Sequence, residues 1–259
     1  MIKSSEEIQL MRESGRLLAS VFHMLDQEIY EGMTSLEVDT LVERYIIDTL
    51  KARPASKGQY GYQYSLNASV NDVVCHGVPN ANFKLRGKDI VNIDITLEKN
   101  GFISDSSKMY VFGDASKEAK RLVRTTYDAL WLGIKAVKPG ARLGDIGYAV
   151  QAHAEQAGYS VVREYCGHGI GREMHEEPQV LHYGKANTGL VLEAGMTFTI
   201  EPMINQGSAK TKLKKDGWTV ITKDRKLSAQ WEHTILVTEA GYEVLTLREE
   251  ERSFPERCE

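Results

Sequence analysis

The sequence predicts an α+β fold built from two similar halves. Amphipathic helices with capping signatures open the chain, strictly alternating strands follow them, and the same succession returns about a hundred residues later. The 259 residues, 42% of them hydrophobic, suffice for one large domain or two small ones. This composition argues against disorder and against fibrous repeats.

Both helices of the first half begin at a capping box. Ser4 with Glu7 starts a helix over residues 5–29, and Thr34 with Glu37 starts a second one. In each of them hydrophobic residues recur at helical spacing, which indicates one face buried against a core. The first half therefore begins with a layer of helices.

Strands follow these helices. Residues 51–82 lose the helical periodicity, which predicts irregular backbone or short strands. Over residues 91–97 hydrophobic and polar residues alternate, so that the polar side chains share one face of a strand. That face carries Asn92, Asp94 and Thr96. The Asn-Gly turn at residues 100–101 leads into a second strand, which carries Asp105.

The second half repeats this order. Hydrophobic residues over 122–137 mark a third helix, which Pro139 and Gly140 end, and a fourth helix ends at Gly158. Val42 and Val150 stand at matching places 108 positions apart. Helical stripes align easily, so coincidence is the alternative explanation. A true duplication would place two strand faces opposite each other, with a site between them.

Charge and composition exclude several classes of function. The 32 Lys and Arg against 36 Asp and Glu leave a net charge of −4, which provides no basic surface for DNA or RNA. No hydrophobic run reaches the roughly 18 residues of a membrane helix, and the first residues show no signal sequence. Cys75, Cys166 and Cys258 fit no disulfide framework, so we expect reduced thiols in a cytoplasmic protein.

Four acidic residues lie on strand-like segments among hydrophobic neighbours. They are Asp94, Asp105, Glu201 and Glu232. Alternation predicts continuous strands over residues 197–201 and 230–235 around the last two. A carboxylate inside a sheet is costly to desolvate unless it is paired or bound to a metal. Any one of the four could be exposed or ion-paired, but together they indicate a metal site.

A glycine-rich segment adds one nitrogen ligand. Gly167, Gly169 and Gly171 alternate around His168, which predicts tightly packed loop backbone. A phosphate-binding loop is the alternative, but Arg172 stands where such a loop needs glycine and no strand-turn-helix unit follows. One imidazole and four carboxylates form a hard ligand set of formal charge −4, which two divalent cations cancel. Such a pair of ions can activate water, and hydrolysis is the reaction that this predicts.

Several sequence blocks resemble those of type I methionine aminopeptidases. They are VVCHGVP (73–79), VNIDITLEKNGFISDSSKMYVFG (91–113), YCGHGIGREMHEEPQVLHYG (165–184), GMTFTIEPM (195–203), DGWTV (216–220) and LSAQWEHTILVT (227–238). The resemblance spans nearly the whole chain. It implies the pita-bread fold, two related α+β halves around a curved antiparallel sheet, in a single catalytic domain over residues 1–259. The implied activity removes N-terminal methionine from peptides and nascent proteins with a small second residue.

The resemblance also implies roles for individual residues. It assigns metal ligation to Asp94, Asp105, His168, Glu201 and Glu232, with Fe, Mn, Co or Zn as candidate divalent metals. Glu201 would in addition move the proton of the attacking water. His175 would contact the substrate carbonyl, and His76 would lie against the scissile amide nitrogen.

A substrate pocket and a second cation follow from the same resemblance. The implied pocket residues are Tyr62, His76, Met174, His175 and Trp218. Met174 and Asn67 depart from close relatives, which more often carry Phe and a small thiol residue there, so we expect a pocket of altered shape. A monovalent cation, Na or K, would bind the backbone oxygens of Asn71, Val73 and Ser228.

The sequence also allows expectations about partners and leaves two rival functions. We expect a monomer that contacts the ribosome transiently. The basic run from Lys210 to Lys215 predicts a solvated hairpin, with contact to ribosomal RNA as the alternative. One rival function is an X-Pro aminopeptidase or prolidase, although those relatives usually carry a longer N-terminal domain. The other is a binding protein without catalysis, although such proteins typically lack metal ligands.

Overall fold

The structure is a computed structural model that describes residues 1–252. Its α-helices are α1 (Ser5–Glu28), α2 (Ser35–Arg44), α3 (Lys117–Lys135) and α4 (Leu143–Gln156). A π-helical turn (Tyr45–Thr49) extends α2, and 3-10 turns lie at Gln59–Gly61 and Glu249–Glu251. The predicted capping boxes are confirmed, because Ser4 and Glu7, like Thr34 and Glu37, cap each other reciprocally.

Short strands make up most of the β structure in the described residues. They are β1 (Arg53–Pro54), β2 (Leu66–Val70), β3 (Val73–Cys75), β4 (Ile90–Lys99), β5 (Phe102–Val111), β6 (Ser160–Val161), β7 (Gly167–Gly169), β8 (Glu176–Val180), β9 (Thr197–Ile200), β10 (Met203–Asn205), β11 (Thr211–Leu213), β12 (Val220–Thr222), β13 (Ser228–Gln230), β14 (His233–Thr238) and β15 (Gly241–Val244). All their pairings are antiparallel.

The first half places α1 and α2 on a four-stranded sheet. Strand β4 lies between β5 and β2, and β1 pairs with its far end. The hydrophobic face predicted for residues 91–97 is confirmed, since its side chains pack with those of Leu18, Phe22 and Val42 in one buried cluster. The opposite face carries Asp94.

The second half places α3 and α4 on a five-stranded sheet with the order β15-β14-β9-β7-β8. Ile134 of α3 and Ile146 of α4 share a buried cluster with Phe198, Ile200 and Ile235. Each half therefore consists of two helices that cover an antiparallel sheet, as the internal repeat predicts.

The two sheets meet at the strands that carry the acidic residues. The backbones of Ser107 in β5 and Glu232 form an isolated β-bridge. The Thr234 hydroxyl donates to the Asp105 carbonyl over 2.7 Å and accepts from the Asp105 amide over 3.0 Å. This seam fixes the spacing between carboxylates that come from different halves.

Two predictions about local structure are wrong. The backbone around His168 is the short strand β7, not a loop; a β-carbon on Gly167 or Gly169 would overlap neighbouring carbonyl oxygens, so glycine admits the close pairing. The continuous strand over 230–235 is interrupted, because β13 ends at Gln230 and β14 begins at His233. The interruption frees Glu232 from regular pairing and leaves it at the seam.

Three smaller predictions have clear outcomes. The basic run lies in the β11–β12 hairpin, and most of its side chains are exposed. Cys75 and Cys166 are free thiols, whereas Cys258 lies outside the described residues. None of the described helices is both long and apolar enough to cross a membrane.

Candidate metal centre and active site

The five predicted ligands come together at the seam between the sheets. Ligand atoms of Asp105, His168 and Glu232 all lie within 4.8 Å of one another. The Nε2 atom of His168 is 3.5 Å from Oε1 of Glu201 and 3.8 Å from Oδ2 of Asp105. Asp94 joins the group through a side-chain contact with Asp105. The chain thus concentrates four carboxyl groups and one imidazole in a single place.

The Asp94 and Asp105 side chains lie close enough to interact, and two carboxyl groups this close are stable only with a proton or a cation between them. Asn67 donates from Nδ2 to Oδ2 of Asp94 over 3.3 Å, and the two residues are paired in the register of β2 and β4. Asn67 therefore holds one predicted ligand directly.

Glu201 is held by three neighbours that the sequence reasoning missed. The Thr199 hydroxyl donates to Oε1 of Glu201 over 2.8 Å and accepts the His168 amide over 3.0 Å. Gln230 donates from Nε2 to Oε2 over 3.3 Å. The Glu201 amide donates to Nε2 of buried His182 over 2.9 Å. Thr199 and Gln230 share the alternating polar face with the predicted ligands, and that signal could have identified them.

A buried polar network supports the seam from behind. Arg248, only 2% exposed, donates to the Ser106 hydroxyl over 3.2 Å, and that hydroxyl donates to the Glu232 carbonyl over 2.7 Å. Arg248 also pairs with Glu251 over 2.6 Å, and Glu251 in turn contacts His233. His233, to which the sequence assigned no role, therefore belongs to this support and not to the cluster of predicted ligands.

Burial dominates the electrostatics of the cluster. It is the largest cause that raises the pKa of every acidic member, and neighbouring carboxylates raise the pKa of Asp105, Glu201 and Glu232 further. Burial lowers the pKa of His168 to about 4, so its imidazole is neutral at pH 7 and can offer a lone pair. Within residues 1–252, Oδ1 of Asp105 is buried without a hydrogen-bond partner. These properties fit hard divalent cations, which supply the missing positive charge.

A cavity of about 610 Å³ opens onto the cluster. All the predicted pocket residues line it, namely Tyr62, His76, Met174, His175 and Trp218. The Tyr62 and Trp218 rings lie 5.0 Å apart, and the Tyr62 hydroxyl donates to the Leu66 carbonyl over 2.9 Å, which fixes that ring. The wall is thus aromatic and partly apolar next to the acidic cluster.

Two further imidazoles border this cavity. The His175 ring is 4.4 Å from the His168 ring, and His76 packs edge-on against Tyr165 at 5.6 Å. Burial lowers the pKa of both His76 and His175, so each is neutral near pH 7. A neutral imidazole can donate one hydrogen bond and accept another.

The predicted monovalent site has a less defined geometry. The Asn71 carbonyl accepts a hydrogen bond from the Ser228 amide over 2.8 Å. Val73 of β3 pairs with Ile221 of β12. Asn71 adopts a positive φ of 55°, which turns the backbone sharply at this point. Cation binding here stays a prediction.

Comparison with known proteins gives a consistent result. Residues 9–239 match the model of metallopeptidase family M24. A methionine aminopeptidase from Salmonella typhimurium is 54% identical over 250 residues, which cover 96% of this chain and 95% of the relative. The crystal structure of methionine aminopeptidase from Rickettsia prowazekii superposes with a TM-score of 0.93 at 47% identity, covering 95% of this chain and 99% of that one.

A more distant likeness is informative about the fold. The prolidase from Pyrococcus horikoshii has a TM-score of 0.73 at 24% identity. The match covers 96% of this chain but 64% of the prolidase. The likeness to the prolidase is therefore one of architecture.

Proposed function

The chain belongs to metallopeptidase family M24, and we propose that it removes the N-terminal methionine from peptides and nascent proteins with a small second residue. Its fold is the pita-bread fold that the sequence predicts. The observation that supports this proposal most strongly is the match to methionine aminopeptidases over nearly the full length of both chains. The protein is accordingly a metal-dependent aminopeptidase.

The alternatives are less favoured. Two prolidases and an Xaa-Pro dipeptidase share the architecture at 23–24% identity, and this chain covers only 63–66% of their length. A binding protein without catalysis does not need a buried acidic cluster. Here all five candidate ligands are present and close together, with His76 and His175 beside them.

The residues of the cluster suit two divalent cations, and Fe, Mn, Co and Zn all tolerate such ligands. Asp94, Asp105, His168, Glu201 and Glu232 would hold them. When bound, the cations neutralise the cluster and lower the pKa of water, which makes water a nucleophile near neutral pH. We assign Na or K to the backbone oxygens of Asn71, Val73 and Ser228 as a separate, structural cation.

The chain's own side chains complete the reaction. Glu201 takes the proton from the attacking water and passes it to the leaving amine, a task for a positioned carboxylate. His175 donates a hydrogen bond to the substrate carbonyl oxygen and stabilises the charge that develops there. His76 faces the scissile amide nitrogen. Tyr62, Met174 and Trp218 surround the methionine side chain, which is flexible and polarizable.

The setting follows from the substrate. Nascent chains carry their initiator methionine in the cytoplasm, and we therefore assign the reaction to the cytoplasm. We expect the enzyme to act there as a monomer. The exposed β11–β12 hairpin carries four lysines between residues 210 and 215, and Trp218 just beyond it lines the cavity. A transient contact of this hairpin with the ribosome would bring the cavity towards an emerging chain.

The decisive experiment measures methionine release from a Met-Ala-Ser peptide. We expect activity with divalent metal and none after exhaustive chelation, with the metal content verified. Leu-Ala-Ser and Pro-Ala-Ser, offered in competition, should be cut poorly. Preference for either over the methionine peptide would refute the methionine specificity, and full activity without metal would refute the metal-dependent mechanism.

A further inference from the structure

The N-terminal segment reaches the active-site region through a partly buried ion pair. Nζ of Lys3 lies 2.7 Å from Oε2 of Glu176, and their side chains are 6% and 21% exposed. The backbone of the same segment is fixed, because the Lys3 amide donates to the Gly195 carbonyl over 2.8 Å and Ile2 forms a β-bridge with Met196. Lys3 is therefore attached to the segment that leads into β9.

Glu176 uses its other oxygen to bind the preceding loop. Oε1 accepts the Arg172 amide over 3.0 Å and the Glu173 amide over 3.4 Å. The Lys3 side chain passes so close to Gly171 that a β-carbon on that glycine would overlap its Cε and Nζ atoms. Glycine at this position admits the lysine, and the carboxylate thus connects Lys3 to the loop of residues 171–175.

This loop carries two residues of the proposed active site. Met174 and His175 line the cavity. Along the chain they lie between residues 172 and 173, whose amides Glu176 binds, and Glu176 itself. On its other side the loop is tied to β5, because the Ile103 amide donates to the Gly171 carbonyl over 2.7 Å. The position of His175 relative to Asp105 of β5 therefore depends on the attachments at both ends.

We infer that Lys3 is a positioning residue for catalysis: through Glu176 it holds the loop that presents Met174 and His175 to the substrate. The inference rests on the proposed function, because it assigns His175 a contact with the substrate carbonyl. Lys3 itself touches neither the substrate cavity nor the predicted metal ligands in the contacts described above. Removal of the ammonium leaves the half-buried Glu176 carboxylate without its cation, and we expect the loop to shift so that water can solvate it.

The test compares Lys3→Met, Lys3→Arg and Lys108→Met. Lys108 is the matched control, because its ammonium is also largely buried and pairs with Asp26 over 2.7 Å and Glu250 over 2.6 Å, away from the loop. In Lys3→Met we expect kcat to fall about 10- to 100-fold, the range produced by small displacements of a catalytic group. Metal content should equal the parent's. Lys3→Arg should recover kcat to within about threefold, and Lys108→Met should lose thermal stability but keep kcat.

A second measurement does not depend on activity. In the metal-free protein, side-chain NMR signals of His175 should shift in Lys3→Met and stay in place in Lys108→Met. Unchanged His175 signals, or an equal loss of kcat in both Met variants, would overturn the inference. If Lys3→Met does not fold, Glu176→Gln takes its place, since this substitution removes the carboxylate charge and keeps a side chain of similar size. Parental kcat together with parental His175 signals in Glu176→Gln would also overturn the inference. Failure of the parent to release methionine would instead refute the proposed function, and the NMR comparison would still decide the role of Lys3.

Discussion

Because of the acidic cluster, we predict that the metal-free protein loses stability as the pH rises from about 7 to about 8. Burial and neighbouring carboxylates hold the pKa values of Asp105 and Glu232 well above their ordinary range. The folded protein therefore keeps protons on these groups that the unfolded chain has already released. Wherever the folded state binds more protons than the unfolded state, the free energy of unfolding falls with rising pH.

The magnitude follows from the number of protons. One carboxyl group that stays protonated only in the folded state lowers the free energy of unfolding by about 1.4 kcal/mol per pH unit. Glu201, whose pKa burial raises to about 8, gives about 1 kcal/mol between pH 7 and pH 8, or about 2–4 °C in Tm for a chain of this size, and Asp105 and Glu232 change the stability in the same direction. The buried histidines act in the opposite sense, because their pKa values are lowered, but above about pH 7 they are neutral in both states.

Thermal unfolding at a series of pH values, with and without divalent metal, measures this effect. Metal at about 100 times its dissociation constant should add about 2.7 kcal/mol per site, and the gain should grow with pH because protons and metal compete for the same oxygens. Glu232→Gln is the control, since it removes one ionisable group and should make the pH slope of the metal-free protein shallower. A metal-free protein that becomes more stable from pH 7 to pH 8, or a slope that Glu232→Gln leaves unaltered, would refute this account of the cluster.

Three further predictions concern the reaction. Glu201→Ala should lower kcat, measured by steady-state kinetics, at least about 100-fold, because it removes the proton carrier. A kcat within a few-fold of the parent's would mean that another residue carries the proton. His175→Ala should lower kcat far more than it weakens metal binding measured by calorimetry, and equal damage to both would make His175 a ligand. Peptides beginning Met-Ala or Met-Gly should be cut and those beginning Met-Leu should not, because a large second side chain would clash beside the cluster; efficient cleavage of Met-Leu would contradict the predicted preference for a small second residue.

Much of the fold could be predicted from the sequence because its signals are local. The capping boxes at Ser4 and Thr34 and the alternation over residues 91–97 each involve neighbours along the chain, and the structure confirms them. The interruption at Glu232 could not be predicted in the same way. The alternation over 230–235 is regular, and at the break Glu232 pairs instead with Ser107 of the other half.

The candidate ligands could be predicted for a different reason. An acidic residue among strand-forming hydrophobic residues is chemically costly, so Asp94 and Glu201 stand out without any knowledge of the fold. The groups that hold them do not stand out. Asn67, His182 and Arg248 are ordinary polar residues in the sequence, and their significance depends on partners that only the folded chain supplies.

The duplicated architecture explains why a cluster of carboxylates forms here at all. Asp94 lies on a strand of the first half and Glu201 directly follows a strand of the second, and the seam at Asp105 and Thr234 joins the two sheets close to both. Two sheets that meet in this way direct acidic residues from both halves at the same volume. The carboxylates repel one another unless protons or cations lie between them. Hydrogen bonds from Thr199 to Glu201, and from Arg248 through Ser106 to the Glu232 backbone, oppose this repulsion. The affinity for metal therefore follows from the same contacts that join the two halves of the fold.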